Sequence, residues 1–340
     1  MGKVYGIVFL LIAMVGVAAA IFMKSLPVPV CHGEERAPEF YRQEMASLVR
    51  DLHQYARERR TGFGLLPNGG VAIYLPEDDG MEYDLAGLLD SMDGVLVESV
   101  FYGADMVDNG ETAEETTRYF QRALAVPKSH GLPVFNIDYC SDKDIQKDSL
   151  KKNAMVDYVD FTAPRRELDV IPSGTPPNEN AMDCTSLKDA KNFLVLLNPS
   201  RYRTRENFLR NLQGTDYDLL IIDLYFGDAP WTEEEVESLR RKRNGGRRLV
   251  YAYMSIGEAE NYRKYWKPRW NEERPDWLAE SNEAWEGSYK VRYWRQEWKN
   301  LLYGSPDAYL DRILAAGFDG AFLDVMDTFY YFEEGAKEKQ

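Results

Sequence analysis

Histidine and cysteine are scarce in this sequence, with three of each in 340 residues. His32, His53 and His130 lie far apart, with no second ligand at metal-binding spacing. That argues against a zinc site, and no histidine is placed to activate a cysteine nucleophile. No metal and no cofactor is expected. Among Cys31, Cys140 and Cys184 at most two can pair, and Cys140–Cys184 is one pairing the sequence permits. No GxGxxG follows any apolar run, so the turn of a dinucleotide-binding sheet is missing. Excess positive charge is missing too. The formal net charge is −15, which argues against a nucleic-acid partner and would suit a cationic one, although acidity also serves solubility.

The first residues form a separate object. "MGKVYGIVFLLIAMVGVAAAIFM" has Lys3, then no charge until Lys24. A helix of about twenty residues spans roughly 30 Å, enough to cross a bilayer. "AAA" at 18–20 also fits a cleavage site. Residues 1–24 are expected to be a signal peptide or membrane anchor, the length of the run favouring an anchor. Residues 25–37 read as a polar linker. Either reading exports the rest: membrane-anchored outside the cytoplasm, or periplasmic or secreted if cleaved.

The remainder alternates short apolar runs with amphipathic helical patterns. The runs are "GFGLL", "GVLVES", "LPVFNIDY", "YVDFTA", "NFLVLLN", "YDLLIIDL", "RLVYAYMS", "KVRYW" and "GAFLDV". Continuous apolar strands separated by helices indicate a parallel sheet covered on both faces. The spacing predicts an α/β fold, a (β/α)8 TIM barrel forming one domain over 38–340, with one of the nine runs peripheral. The proline-bearing stretch 169–191 reads as a long internal connection.

Parallel barrels carry their sites at the C-terminal ends of the strands. Those ends hold Glu98, Asp138, Asp223, Glu258 with Glu260, and Asp324 with Asp327. A single aspartate there is often only a helix N-cap, but glutamate is a poor cap, and acids from many strands would share one mouth. A ring of carboxylates, without a nucleophilic serine or cysteine or a phosphate loop, points to glycosidic-bond chemistry. That chemistry needs one protonated acid and one nucleophile or base. All seven tryptophans fall within residues 231–298. Aromatic faces suit sugar rings, although at least half are expected to be packing, and Trp294 is taken as a contact candidate.

"VYAYMSIGEAENYRKYW", "YKVRYW" and "GFDGAFLDVMD" together resemble glycoside hydrolase family 114 and related exported proteins. Characterised members are endo-α-1,4-polygalactosaminidases with a (β/α)8 barrel. The segments stand in an unusual order: "LLPNGG", "VLVESVFYG" and "VFNIDY" come first, so the chain looks circularly permuted, with 169–191 joining the original ends. The resemblance implies Asp324 and Glu98 as the catalytic carboxylates. It places Asp223, Tyr253, Glu260, Arg263, Asn68 and Tyr139 along the cleft, and makes Asp327 a substrate contact or helix cap. Glu258 stands at a serine-like position. Phe322 and Pro67 depart from the family pattern, where a glutamate and a lysine stand.

These readings give an exported endo-acting glycoside hydrolase of an amino-sugar polysaccharide. A partly deacetylated α-1,4-galactosaminoglycan is the first substrate to try. Asp324 is read as nucleophile or stabiliser and Glu98 as proton donor. The alternative, motivated by Phe322 and Pro67, is a surface polysaccharide-binding protein on the same fold with weak or lost turnover.

Overall fold

The computed structural model describes residues 36–337. The segment 1–24, most of the linker 25–37, Cys31 and His32 lie outside the described residues. Among the described residues, no helix is long and apolar enough to cross a membrane.

The strands in chain order are β1 Gly64–Pro67, β2 Val95–Glu98, β3 Val134–Tyr139, β4 Val159–Ala163, β5 Phe193–Leu196, β6 Leu219–Ile222, β7 Tyr225–Phe226, β8 Ala229–Pro230, β9 Leu249–Ser255, β10 Glu258–Glu260, β11 Leu278–Ser281, β12 Ser288–Val291 and β13 Gly320–Asp324. The helices are α1 Pro38–Arg59, α2 Leu85–Leu89, α3 Glu114–Ser129, α4 Lys143–Met155, α5 Arg205–Gln213, α6 Glu233–Leu239, α7 Gln296–Leu302, α8 Tyr309–Ala315 and α9 Phe329–Lys337. Several starts are encoded locally. Asp142 caps α4, Thr204 caps α5, and Thr232 with Glu235 forms a capping box on α6.

Eight strands run parallel. One sheet has the order β1-β13-β9-β6-β5 and another β2-β3-β4. The edges meet twice: β1 and β2 join at a parallel bridge between Asn68 and Leu96, and β4 lies beside β5. The rings of Phe135 and Phe161 pack on Phe193 at that second seam. Glycine is needed where the strands crowd Tyr251, because a Cβ at Gly64 or Gly320 would overlap its ring.

Eight of the nine apolar runs thus become parallel strands. The ninth, "KVRYW", contributes β12 to an antiparallel sheet of order β10-β12-β11 beside the end of β9. The stretch 169–191 does connect β4 to β5. It is irregular apart from a short turn at Leu187–Asp189. The buried Lys242 holds it by donating to the carbonyls of Asn180 and Met182.

Cys140 and Cys184 are both buried and free, so the permitted pairing does not form. Cys140 follows the C-terminal end of β3, whereas Cys184 donates its N–H to Arg247, just before β9 begins. The first and last helices pack together. Arg42 on α1 pairs with Glu333 on α9 at 2.7 Å, and Tyr41 stacks on Phe332.

Candidate active site

The chain leaves β1 as "PNGG". Asn68 donates its backbone N–H to Leu323 on β13, and Gly69 donates to Leu96 on β2. The backbone is therefore stitched between those strands, and the Asn68 side chain does the same with their acids. Its Nδ2 donates to Oε1 of Glu98 and to Oδ1 of Asp324, each at 2.8 Å. The two accepting oxygens therefore lie at most 5.6 Å apart, twice that bond length. Two acids 226 positions apart in sequence share one amide group.

Both acids are buried, but their surroundings differ. Glu98 also accepts from the Tyr139 hydroxyl at 2.5 Å, while Oδ2 of Asp324 has no partner. Burial pushes both carboxyls up. For Glu98, the bonds from Tyr139 and Asn68 and the nearby Arg166 charge oppose the rise. Asp324 goes well above the usual range, with the Glu98 charge adding to burial. The surroundings thus oppose the charged form more strongly at Asp324 than at Glu98. Burial and the Glu98 charge also keep the Tyr139 hydroxyl protonated. The residue after each acid is left-handed: Ser99 at φ 60° and the β-branched Val325 at φ 61°. Such strain persists only where surrounding structure enforces it, and it concentrates at functional sites.

Arg166, just after β4, braces this arrangement. It donates to Asp108 at 2.8 Å and to the Gly103 carbonyl at 2.7 Å, with its guanidinium 3.9 Å from the centre of the Tyr139 ring. It ties the loop after β2 to the tyrosine that holds Glu98.

Two further groups lie alongside. In the first, Lys290 on β12 faces Glu258 on β10 at 2.5 Å, and Asn282 donates to the same carboxylate. Asp327 adds a second acid, with Oδ1 unpartnered. Burial pushes Asp327 up to about 7, opposed by Lys290 and reinforced by Glu258. In the second group, Arg263 pairs with Asp223 at 2.7 Å and with Glu260 at 2.6 Å. Tyr253 reaches Glu260 at 3.3 Å, and Tyr262 also donates to it.

Of the residues singled out from sequence, two stand elsewhere. Asp138 follows the opposite face of β3 from Tyr139. It accepts from the N–H groups of Phe101 and Tyr102, from the Ser149 hydroxyl and from Asn153, which fixes α4 to the sheet. Trp294 packs edge-on against Phe40 and Phe332 between the first and last helices. Trp231, Trp270, Trp277 and Trp298 are buried packing. Arg166, Lys290 and Tyr262 were not singled out. A search for acids at strand ends passes over the "PRRE" that follows β4, and over the lysine that opens "KVRYW". Among the described residues, no group of three His, Cys, Asp or Glu side chains is placed to hold a metal ion.

Comparison with known proteins bears on this arrangement. Residues 197–340 match the model of glycoside-hydrolase family GH114. A relative from Methanocaldococcus jannaschii, the uncharacterized protein MJ1477, is 35% identical over 164 residues, which are 47% of this chain and 44% of that protein. An uncharacterized protein of Thermotoga maritima is 37% identical over 139 residues, 38% of this chain and 42% of its own length. One from Deinococcus radiodurans is 34% identical over 122 residues, 36% and 37% of the two chains. The chain thus spans less than half the length of the curated relatives it matches.

Proposed function

The chain belongs to glycoside-hydrolase family GH114 through residues 197–340, and from that premise we propose that it is an exported, endo-acting glycoside hydrolase of an amino-sugar polysaccharide. The observation that carries this reading is the Asn68 amide, which holds Glu98 and Asp324 with facing oxygens at most 5.6 Å apart, twice 2.8 Å. Retaining glycosidases space their carboxyl groups by about 5–5.5 Å, and inverting ones by about 6.5–9.5 Å. Facing oxygens this close suit retention, which the product's anomeric configuration tests.

The surroundings favour a division of labour opposite to the one read from sequence. Glu98 has two hydrogen-bond donors and a nearby cation, the support of an ionised nucleophile. Asp324 has one side-chain donor and an unpartnered oxygen, and burial with the Glu98 charge disfavours its ionised form, which suits the acid. Glu98 attacks the anomeric carbon while the leaving oxygen takes the Asp324 proton. Asp324 then takes a proton from the water that releases the sugar from Glu98, and both groups are restored.

The first substrate to test is partly deacetylated α-1,4-galactosaminoglycan. Asp327 and Glu258 face one lysine, Lys290, and the unpartnered Asp327 oxygen suits a sugar ammonium. The fold proposal is a closed (β/α)8 barrel in circularly permuted order. Its support is the two seams between the parallel sheets, the packing of α1 on α9, and a family match confined to the later residues.

The test is the appearance of new reducing ends when the purified protein meets this polymer, chitosan and neutral glycans. Activity should fall by several orders of magnitude in Glu98→Gln, which cannot form the covalent intermediate, and early-time NMR of the wild-type product should report retained anomeric configuration. Binding without cleavage by both proteins would leave the sugar-binding alternative.

A further inference from the structure

Aromatic side chains in this protein are used almost wholly inside. Among the described residues Tyr262 is the one large aromatic that is exposed, at 49%. A lone surface aromatic means little by itself. Tyr262 differs because its inner end is fixed. Its hydroxyl donates to Oε1 of Glu260, the same oxygen that the buried Tyr253 hydroxyl reaches at 3.3 Å. Arg263 holds the other oxygen of Glu260 at 2.6 Å and lies 5.0 Å from the centre of the Tyr262 ring.

This fixed ring lies along a line of contacts that begins two residues before Asp324. Phe322 stands two residues before Asp324 on β13 and packs on Tyr253 at 6.0 Å between ring centres. Tyr253 reaches Glu260, and Glu260 holds Tyr262. From Phe322 outward, these contacts thus end in a ring that is half exposed. A tyrosine ring offers an apolar face to the C–H face of a pyranose, and anchoring its hydroxyl removes the ordering cost before the sugar arrives.

We propose that Tyr262 is the stacking platform of a separate sugar subsite, which takes one pyranose ring of the polysaccharide beyond the residue being cleaved. This inference rests on the glycan reading above. It also extends the binding surface to the rim beyond β10.

The experiment uses the full chain as wild type, Tyr262→Ala and Tyr262→Phe, with partly deacetylated α-1,4-galactosaminoglycan and its short oligomers as probes. A platform predicts that Tyr262→Ala raises KM for the polymer roughly tenfold. The shortest cleaved oligomers should lose far less. Tyr262→Phe, which keeps the ring and gives up the bond to Glu260, should retain most of the affinity. If Phe is as damaging as Ala, the residue acts through Glu260 and the platform is overturned. Equal losses on long and short probes overturn it too. Retardation of the same three proteins in gels loaded with polymer separates the two proposals. If the wild type cleaves nothing but is retarded, and Tyr262→Ala is not, the platform stands without the hydrolase. If no protein is retarded and none cleaves, both fall.

Discussion

Asp218 leads into β6 and Asp324 ends β13. Both are buried aspartates, yet they are provided for in opposite ways. Asp218 faces the buried Lys242 at 2.8 Å and also accepts from Asn180 and the Lys191 N–H. The same holds for two other acids that precede strands. Asp319 before β13 meets Arg240 and Arg247, and Asp93 before β2 meets Arg57. Where strands end, Asp324 has the shared Asn68 amide and an oxygen with no partner, and Asp327 also keeps a buried oxygen unpartnered. Native proteins rarely leave buried polar atoms unsatisfied, so Asp218 reads as an acid that holds strands together, and Asp324 and Asp327 as acids kept ready for a ligand.

The sharpest way to break that contrast is to exchange the two behaviours by mutation. Asp218→Asn leaves Lys242 buried without its counter-charge, and should cost about 3–5 kcal/mol of stability. Turnover per folded molecule should change little. Asp324→Asn should lose about 10²–10⁴-fold in activity, with the melting temperature unchanged or higher, because a buried acid whose charged form burial disfavours is replaced by a neutral amide. Thermal melts and the reducing-end assay on both variants decide it. A destabilising Asp324→Asn together with a silent Asp218→Asn would remove the distinction.

The second prediction concerns pH. Burial raises Asp327 to about 7, above the usual carboxyl value near 3.9. The folded state therefore binds more protons than the unfolded chain between those two values. Its contribution to stability is complete below pH ~4 and is lost as the pH rises through about 7. Denaturant titrations at pH 4.5 and 7.5 should show Asp327→Asn removing a fall on the order of a few kcal/mol. A parallel pH slope in the variant would mean that Asp327 does not carry it. An ammonium-bearing sugar favours the ionised carboxylate, so bound oligomer should flatten the wild-type slope.

The sequence makes the strands readable because "FLVL" and "LLII" are apolar throughout, as parallel strands buried on both faces must be. The same feature hides their phase. A strand apolar on both sides does not reveal which neighbour faces the site, and so Asp138 and Tyr139 read alike although one fixes α4 and the other holds Glu98. The fate of "KVRYW" depends on pairing with β10, a partner that local propensity does not specify. Glu98 and Asp324 were legible as strand-end acids, and the family resemblance paired them. The amide that joins them was not legible as a bridge, because its role follows from the place where β1 meets β2 and β13.

Arg166 gives the smallest expected effect and tests how much of the pair's asymmetry comes from outside it. Its guanidinium lies over Tyr139, and its charge opposes the rise of the Glu98 carboxyl. Removing that charge in Arg166→Gln should raise the Glu98 carboxyl further and move the acid limb of the kcat/KM profile to higher pH. At a pH on that limb, activity should drop about tenfold, equivalent to one pH unit or about 1.4 kcal/mol. Arg166→Lys keeps the charge but loses the fork that spans Asp108 and the Gly103 carbonyl. It should leave the limb nearer its original position and lower kcat through a looser Tyr139. A brace with no electrostatic role would give both variants the same unshifted profile. The full pH profile, rather than activity at one pH, therefore decides whether the cation helps to keep Glu98 ionised.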